Sequence, residues 1–145
     1  MTSSGGIEMG RGTRSAGGFT LIELMVVVAI VAILVAIAYP SFADAIRKSR
    51  RGQAKADMVQ AAQMMERFHT QNNTYVGATI PGQSPATGTP NYVLDVNPVA
   101  TQATFRIRAV PQGAQTADTR CGTLTINQAG VKTESGTAPD FSECW

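Results

Sequence analysis

Two cysteines, a single histidine and one carboxylate inside an apolar run are the residues of this chain whose types suggest chemistry. Cys121 and Cys144 both fall in the C-terminal quarter, and late, paired cysteines in a chain with an apolar segment suggest an oxidising compartment and one disulfide. Closing a loop of about two dozen residues contributes roughly 3 kcal/mol in the chain-entropy view. Zinc needs more ligands than these two cysteines and His69 can supply. His69, beside Arg67 and Phe68, reads as a solvent-facing or rim residue. The sequence has no phosphate-cradling glycine loop, no metal cluster and no nucleophile with a partnered base, so neither an enzyme nor a cofactor is expected.

Glu23 poses a different problem. It is the only charge in residues 19–39, FTLIELMVVVAIVAILVAIAY, and an ionisable group inside a membrane helix costs on the order of 2.5–3.5 kcal/mol. The preceding residues, MTSSGGIEMGRGTRSAGG, are hydrophilic and carry Arg11 and Arg14. A secretory signal places its small-residue cleavage site after the apolar run. Here the small pair Gly17-Gly18 comes before it, so cleavage there leaves the apolar segment on the product. Cutting after Gly18 also creates an α-amino group on Phe19, four positions before Glu23. When copies pack their apolar helices together, the carboxylate of one can neutralise the amine of a neighbour, and neither charge is left unpaired in an apolar core.

Those groups need elements to hold them. Residues 19–39 run about 20 residues, enough to cross a ~30 Å hydrocarbon core as a helix. Pro40 removes a backbone donor and predicts a kink or break. The helical pattern then resumes, with Ala54, Met58, Ala61, Met65 and Phe68 at spacings of three and four facing a core. Lys55, Gln60, Gln63 and Arg67 lie opposite, and Asn72-Asn73 ends the helix. A helix from Phe19 to Asn72 spans roughly 80 Å, longer than any globule the rest of the chain can form. Its apolar half is therefore expected to protrude, and away from lipid to be covered by copies of itself.

Residues 76–91 are rich in Gly, Pro, Ser and Thr and read as a surface loop. Short strands follow at Tyr92–Val96 and Thr104–Val110, then a hairpin from Thr123 to Thr133 turning at Gly130. The fold class expected is α+β, a long N-terminal helix packed on a roughly four-stranded antiparallel sheet. The parts are a leader (1–18), a transmembrane or assembly helix (19–39), an amphipathic helix (40–72) and a disulfide-closed head (73–145). The net charge of +2 implies no strong pull toward nucleic acid. The cluster Arg47, Lys48, Arg50, Arg51 and Lys55 reads chiefly as a solvated helix face beside a membrane.

The run from Gly18 to Val28, GFTLIELMVVV, resembles the class III signal of type IV pilins and pseudopilins, and the likeness extends through the leader and Pro40. The resemblance implies a prepilin peptidase that cleaves between Gly18 and Phe19 and N-methylates Phe19. It implies a recruiting role for Glu23 at the fifth mature position, and a helix kink at Pro40. The segment CGTLTI from Cys121 and the ending FSECW resemble PilE-like minor pilins of type IVa pili.

Implied partners are other pilin subunits, the peptidase, the inner-membrane assembly platform and inner-membrane lipid. The implied history is a single-pass inner-membrane precursor with a periplasmic head, then an extracellular pilus used in twitching motility, adhesion or DNA uptake. Basic residues after Tyr39 outnumber Arg11 and Arg14, which by the positive-inside rule alone points the head to the cytoplasm. The cysteines and the resemblance point the other way. A type II secretion pseudopilin is one alternative. A DNA-uptake receptor is another, with Arg106, Arg108, Arg120 and Lys132 forming one basic strip on the head.

Overall fold

The computed structural model describes residues 18–145, so the leader up to Gly17 lies outside the described residues. One helix, α1, runs from Leu21 to Asn72, and five strands follow. They are β1 (Gln83–Ser84), β2 (Tyr92–Val96), β3 (Arg106–Pro111), β4 (Leu124–Asn127) and β5 (Lys132–Glu134). Chain contacts separate residues up to Tyr39 from a second unit, Pro40–Trp145.

Helical geometry continues through Pro40 without interruption, so the proline does not break α1. In the second unit Ala54, Met58, Ala61 and Met65 are fully buried, and they recur at the three- and four-residue spacing of one helix face. The stripe ends where Asn73 takes a left-handed conformation at φ 56° and donates its N–H to the His69 carbonyl at 2.7 Å. Asparagine tolerates that conformation and closes the last turn.

The sheet is an antiparallel meander in chain order β1-β2-β3-β4-β5. Its register fixes which side chains share a face, because cross-strand partners point the same way. Leu94 pairs with Ala109 and Ala109 with Leu124, while Val96, Ile107 and Ile126 form the next row. These rows carry Leu94, Ile107, Ala109, Leu124 and Ile126 into the core built on the α1 stripe, with Tyr92, Phe105 and Tyr75. The opposite face carries Val93, Asp95, Arg106, Arg108 and Thr125. The alternation read from TFRIRAV is therefore the one observed.

β1 is a fifth strand, lying within the stretch that reads as loop. Gln83 and Ser84 pair with Val93 and Tyr92, and two residues amid Gly and Pro give no periodicity to detect. The β4–β5 turn is made by Gly130 at φ 71° and by the Asn127 side chain, whose Oδ1 accepts from the N–H groups of Ala129 and Val131. Cys121 and Cys144 form the disulfide, with their Cα atoms 5.4 Å apart and both residues fully buried. The chain after β5 is also tied by the Trp145 indole N–H, which donates to the Thr133 carbonyl at 3.0 Å.

Candidate functional site

In the first unit the residues around the proposed cut are open. Phe19 is 85% exposed, and a Cβ built on Gly18 meets nothing within 4 Å. Neither crowding among the described residues nor a left-handed backbone demands glycine at position 18. Thr20 starts the helix: its Oγ1 accepts the Glu23 N–H at 3.2 Å, and its carbonyl accepts from Leu24 N–H. This is the N-cap pattern, and it sets Glu23 in the first turn of α1, where the helix dipole favours a negative charge. Among the described residues Glu23 has no salt-bridge partner. From Leu21 to Tyr39 every side chain is exposed, in a window of mean hydropathy 3.1 that is long and apolar enough to cross a membrane.

The head's charged groups are mostly matched. A cleft of about 290 Å³ is lined by Asp44, Arg47, Lys48, Arg51, Asp118, Arg120 and Glu143. Each of its carboxylates pairs with one arginine: Asp44 with Arg47, Asp118 with Arg51 and Glu143 with Arg120. Only Lys48 of the cleft's cations lacks a salt bridge among the described residues. Such a site has little net field for an external anion.

Arg51 departs from the solvated-face reading of the 47–55 cluster. It is buried, and its Nη1 donates to both carboxylate oxygens of Asp118, at 3.2 and 3.1 Å, and contacts Cys121 Sγ. Gln115, fully buried in a short 3-10 turn, adds to the same network. Its Nε2 lies 2.9 Å from the Tyr92 hydroxyl, 3.2 Å from Asp118 Oδ2 and 3.2 Å from the Arg47 carbonyl. Its Oε1 has no partner among the described residues. Burial is the main cause that pushes the Tyr92 phenol above its ordinary pKa. The signal that could have found Arg51 is its place three residues before Ala54, on the apolar stripe.

The four proposed DNA-contacting residues do not form one strip. Arg106 and Arg108 share the outer sheet face, but Lys132 pairs with Ile126, which pairs with Ile107. That parity puts Lys132 on the helix-side face, at the β5 edge. Arg120 lies off the sheet, in the charged cleft. Arg108 is also engaged, through a two-pronged bond to Asp95: Nε to Oδ1 at 2.9 Å and Nη2 to Oδ2 at 2.6 Å. Arg106 alone of the pair is exposed without a salt bridge among the described residues. His69 is a rim residue stacked on Tyr75, with ring centroids 4.2 Å apart. Among the described residues no group of three or more His, Cys, Asp or Glu side chains could hold a metal ion.

The Arg108 bond holds the Asp95 carboxyl below the ordinary aspartate range. A carboxylate lowered in the folded state adds stability above its unfolded pKa and loses it as pH falls through the folded value. Because the two side chains are 34% and 40% exposed, the pair contributes no more than about 1 kcal/mol. Asp95→Asn is therefore expected to lower stability slightly at neutral pH and to flatten the acid limb. Denaturant melts at neutral pH and at a pH below the folded value of Asp95 measure this, and equal losses at both would contradict it.

Comparison with known proteins places these features. The family described as "Type IV minor pilin ComP, DNA uptake sequence receptor" matches residues 40–125. The "Prokaryotic N-terminal methylation motif" matches residues 13–39. The "Type IV wide pilus major component PilA4" of Thermus thermophilus is 39% identical over 62 residues, covering 43% of this chain and 47% of that protein. The "Type IV major pilin protein PilA" of Myxococcus xanthus is 41% identical over 58 residues, covering 40% and 26%. The chain thus spans less than half the length of these relatives. The structure of the Neisseria meningitidis non-core minor pilin PilV superposes with a TM-score of 0.51 at 21% identity, over 66% of this chain and 92% of that one. It shares the fold.

Proposed function

We propose, from the premise that this chain belongs to the type IV minor pilins, that it is made as a membrane-anchored precursor and assembled into a pilus fibre. The family is one of structural subunits and not of enzymes. The precursor sits in the inner membrane through residues 19–39, with its head in the periplasm. A prepilin peptidase cuts between Gly18 and Phe19 and methylates the new amine, and the assembly platform moves the subunit into the fibre. The observation that carries this reading is the apolar surface of Leu21–Tyr39, uncovered along its whole length and interrupted by Glu23 alone. Lipid can cover that surface first and neighbouring helices later. The open space around Gly18 fits a requirement set by the peptidase rather than by this chain.

Intact-mass measurement on sheared pili tests the reading. The expected species begins at Phe19 and is one methylene heavier than the unmodified chain. A Gly18→Val precursor should keep its leader and stay in the membrane. Normal processing of that variant would count against the assigned cut. Copies counted per fibre should be few, as expected of a minor subunit.

A second reading, DNA binding by the head, is favoured by one observation. The family match over residues 40–125 carries the description of a DNA uptake sequence receptor. Lys48, Arg50, Lys55, Arg67, Arg106 and Lys132, which have no salt bridge among the described residues, are the cations free to meet phosphates.

A further inference from the structure

Beside α1, Lys55, Ala56, Val59, Lys132 and Trp145 line a shallow cleft of about 450 Å³. Trp145, the single tryptophan of the sequence, is half-buried against the core. Its indole N–H is anchored on Thr133, which fixes the ring plane. The Lys132 ammonium lies over that ring, 5.2 Å from its centroid. Val59, 39% exposed, adds an apolar wall.

The cleft's cations are poorly compensated. Burial, and then the positive charges of Arg51, Lys132 and Lys48, lower the Lys55 pKa, and among the described residues no carboxylate offsets them. Neither Lys55 nor Lys132 has a salt bridge among the described residues: Glu143 is paired with Arg120, and Asp57 and Asp140 accept from the neutral groups of Ser84, Gln53 and the Ser142 N–H. Glu134 shares the helix-side face of β5 with Lys132 but sits one register row away, opposite Leu124.

An anchored indole flanked by two such lysines suits a ligand with an aromatic face and flanking negative charges. We propose that this cleft is a single-stranded DNA site in which one base stacks on Trp145 and the adjoining phosphates are held by Lys55 and Lys132. The inference rests on the reading that the head binds DNA, and it places the contact on the helix-side edge and not on the outer sheet face of Arg106 and Arg108. Stacking a base on the indole displaces the Lys132 ammonium, which then meets a phosphate. A base–aromatic stack is worth more than an exposed cation–π contact, so the exchange is favourable.

The full chain in detergent, titrated with a short oligothymidylate, tests the site through its one tryptophan. Binding should quench Trp145 emission saturably. The log–log slope of affinity against salt should be about −1.4, the value for two phosphates on a single strand. Trp145→Ala should weaken binding, read by anisotropy of a labelled oligonucleotide, by about 5- to 150-fold. Lys55→Gln and Lys132→Gln, which leave the core untouched, should each make the salt slope shallower by about 0.7. Binding of the oligonucleotide or of duplex DNA without quenching, and unaffected by the lysine variants, overturns the site while leaving DNA binding by the head intact. No salt-dependent binding of either DNA form overturns the DNA reading and the site with it.

Discussion

Pili sheared from cells expressing the Glu23→Leu variant should contain almost none of this subunit, while the membrane fraction holds it at wild-type levels. The substitution removes the one charge between Leu21 and Tyr39, so insertion into lipid becomes easier and not harder. Incorporation should fail for a different reason. On the proposed cut at Gly18, each subunit would bring an α-amino group on Phe19, and packing the helices together would remove that amine from water. With Glu23 present on a neighbour, the pair enters the apolar core as a neutral unit. With leucine there the amine is stranded, at a cost of about 3–5 kcal/mol per contact. That corresponds to a loss of incorporation on the order of a hundredfold to a few thousandfold. Glu23→Gln, which keeps a polar acceptor but no charge, should fall between the two. Immunoblots of sheared and membrane fractions make the measurement, and wild-type levels of Glu23→Leu in fibres would end this account of Glu23.

Local periodicity made most of the architecture legible. The stripe from Ala54 to Met65 and the alternation through Ile107 and Ala109 each arise from a repeat shorter than the element that carries it. Strand β1 was not legible, because two residues cannot express a period. The basic strip expected to join Lys132 to Arg106 does not form, and nothing in the sequence warns of this because a basic residue near a turn carries no parity of its own. Its face is set by how many residues the Gly130 turn consumes, which fixes Lys132 opposite Ile126. The pairing of Arg51 is hidden for a third reason, although its place on the apolar stripe marks its burial. Its partner Asp118 lies 67 residues away in sequence, between two strands whose spacing says nothing of a contact with α1. Charge pairing across such distances becomes visible only when the helix has been laid on the sheet.

That hidden pair carries the second large expectation, a stability loss of about 3–5 kcal/mol for Asp118→Ala. Arg51 and Asp118 side chains are only 11% and 6% exposed, so removing the carboxylate leaves a guanidinium that has little access to water and cannot lose its proton. Gln115 loses an acceptor at the same time, and the disturbance reaches Cys121, which Arg51 also touches. The opposite design separates pairing from packing. Arg51→Met with Asp118→Leu removes both charges and keeps volume, and buried pairs replaced in this way are often neutral or more stable. The double variant should therefore melt closer to wild type than either single change, a strongly non-additive cycle. Denaturant unfolding of the full chain in detergent, with the disulfide intact, reads all four corners. If Asp118→Ala cost less than about 1 kcal/mol, the pair would behave as an exposed one, and the link it makes between α1 and the Cys121 segment would not be what secures the head.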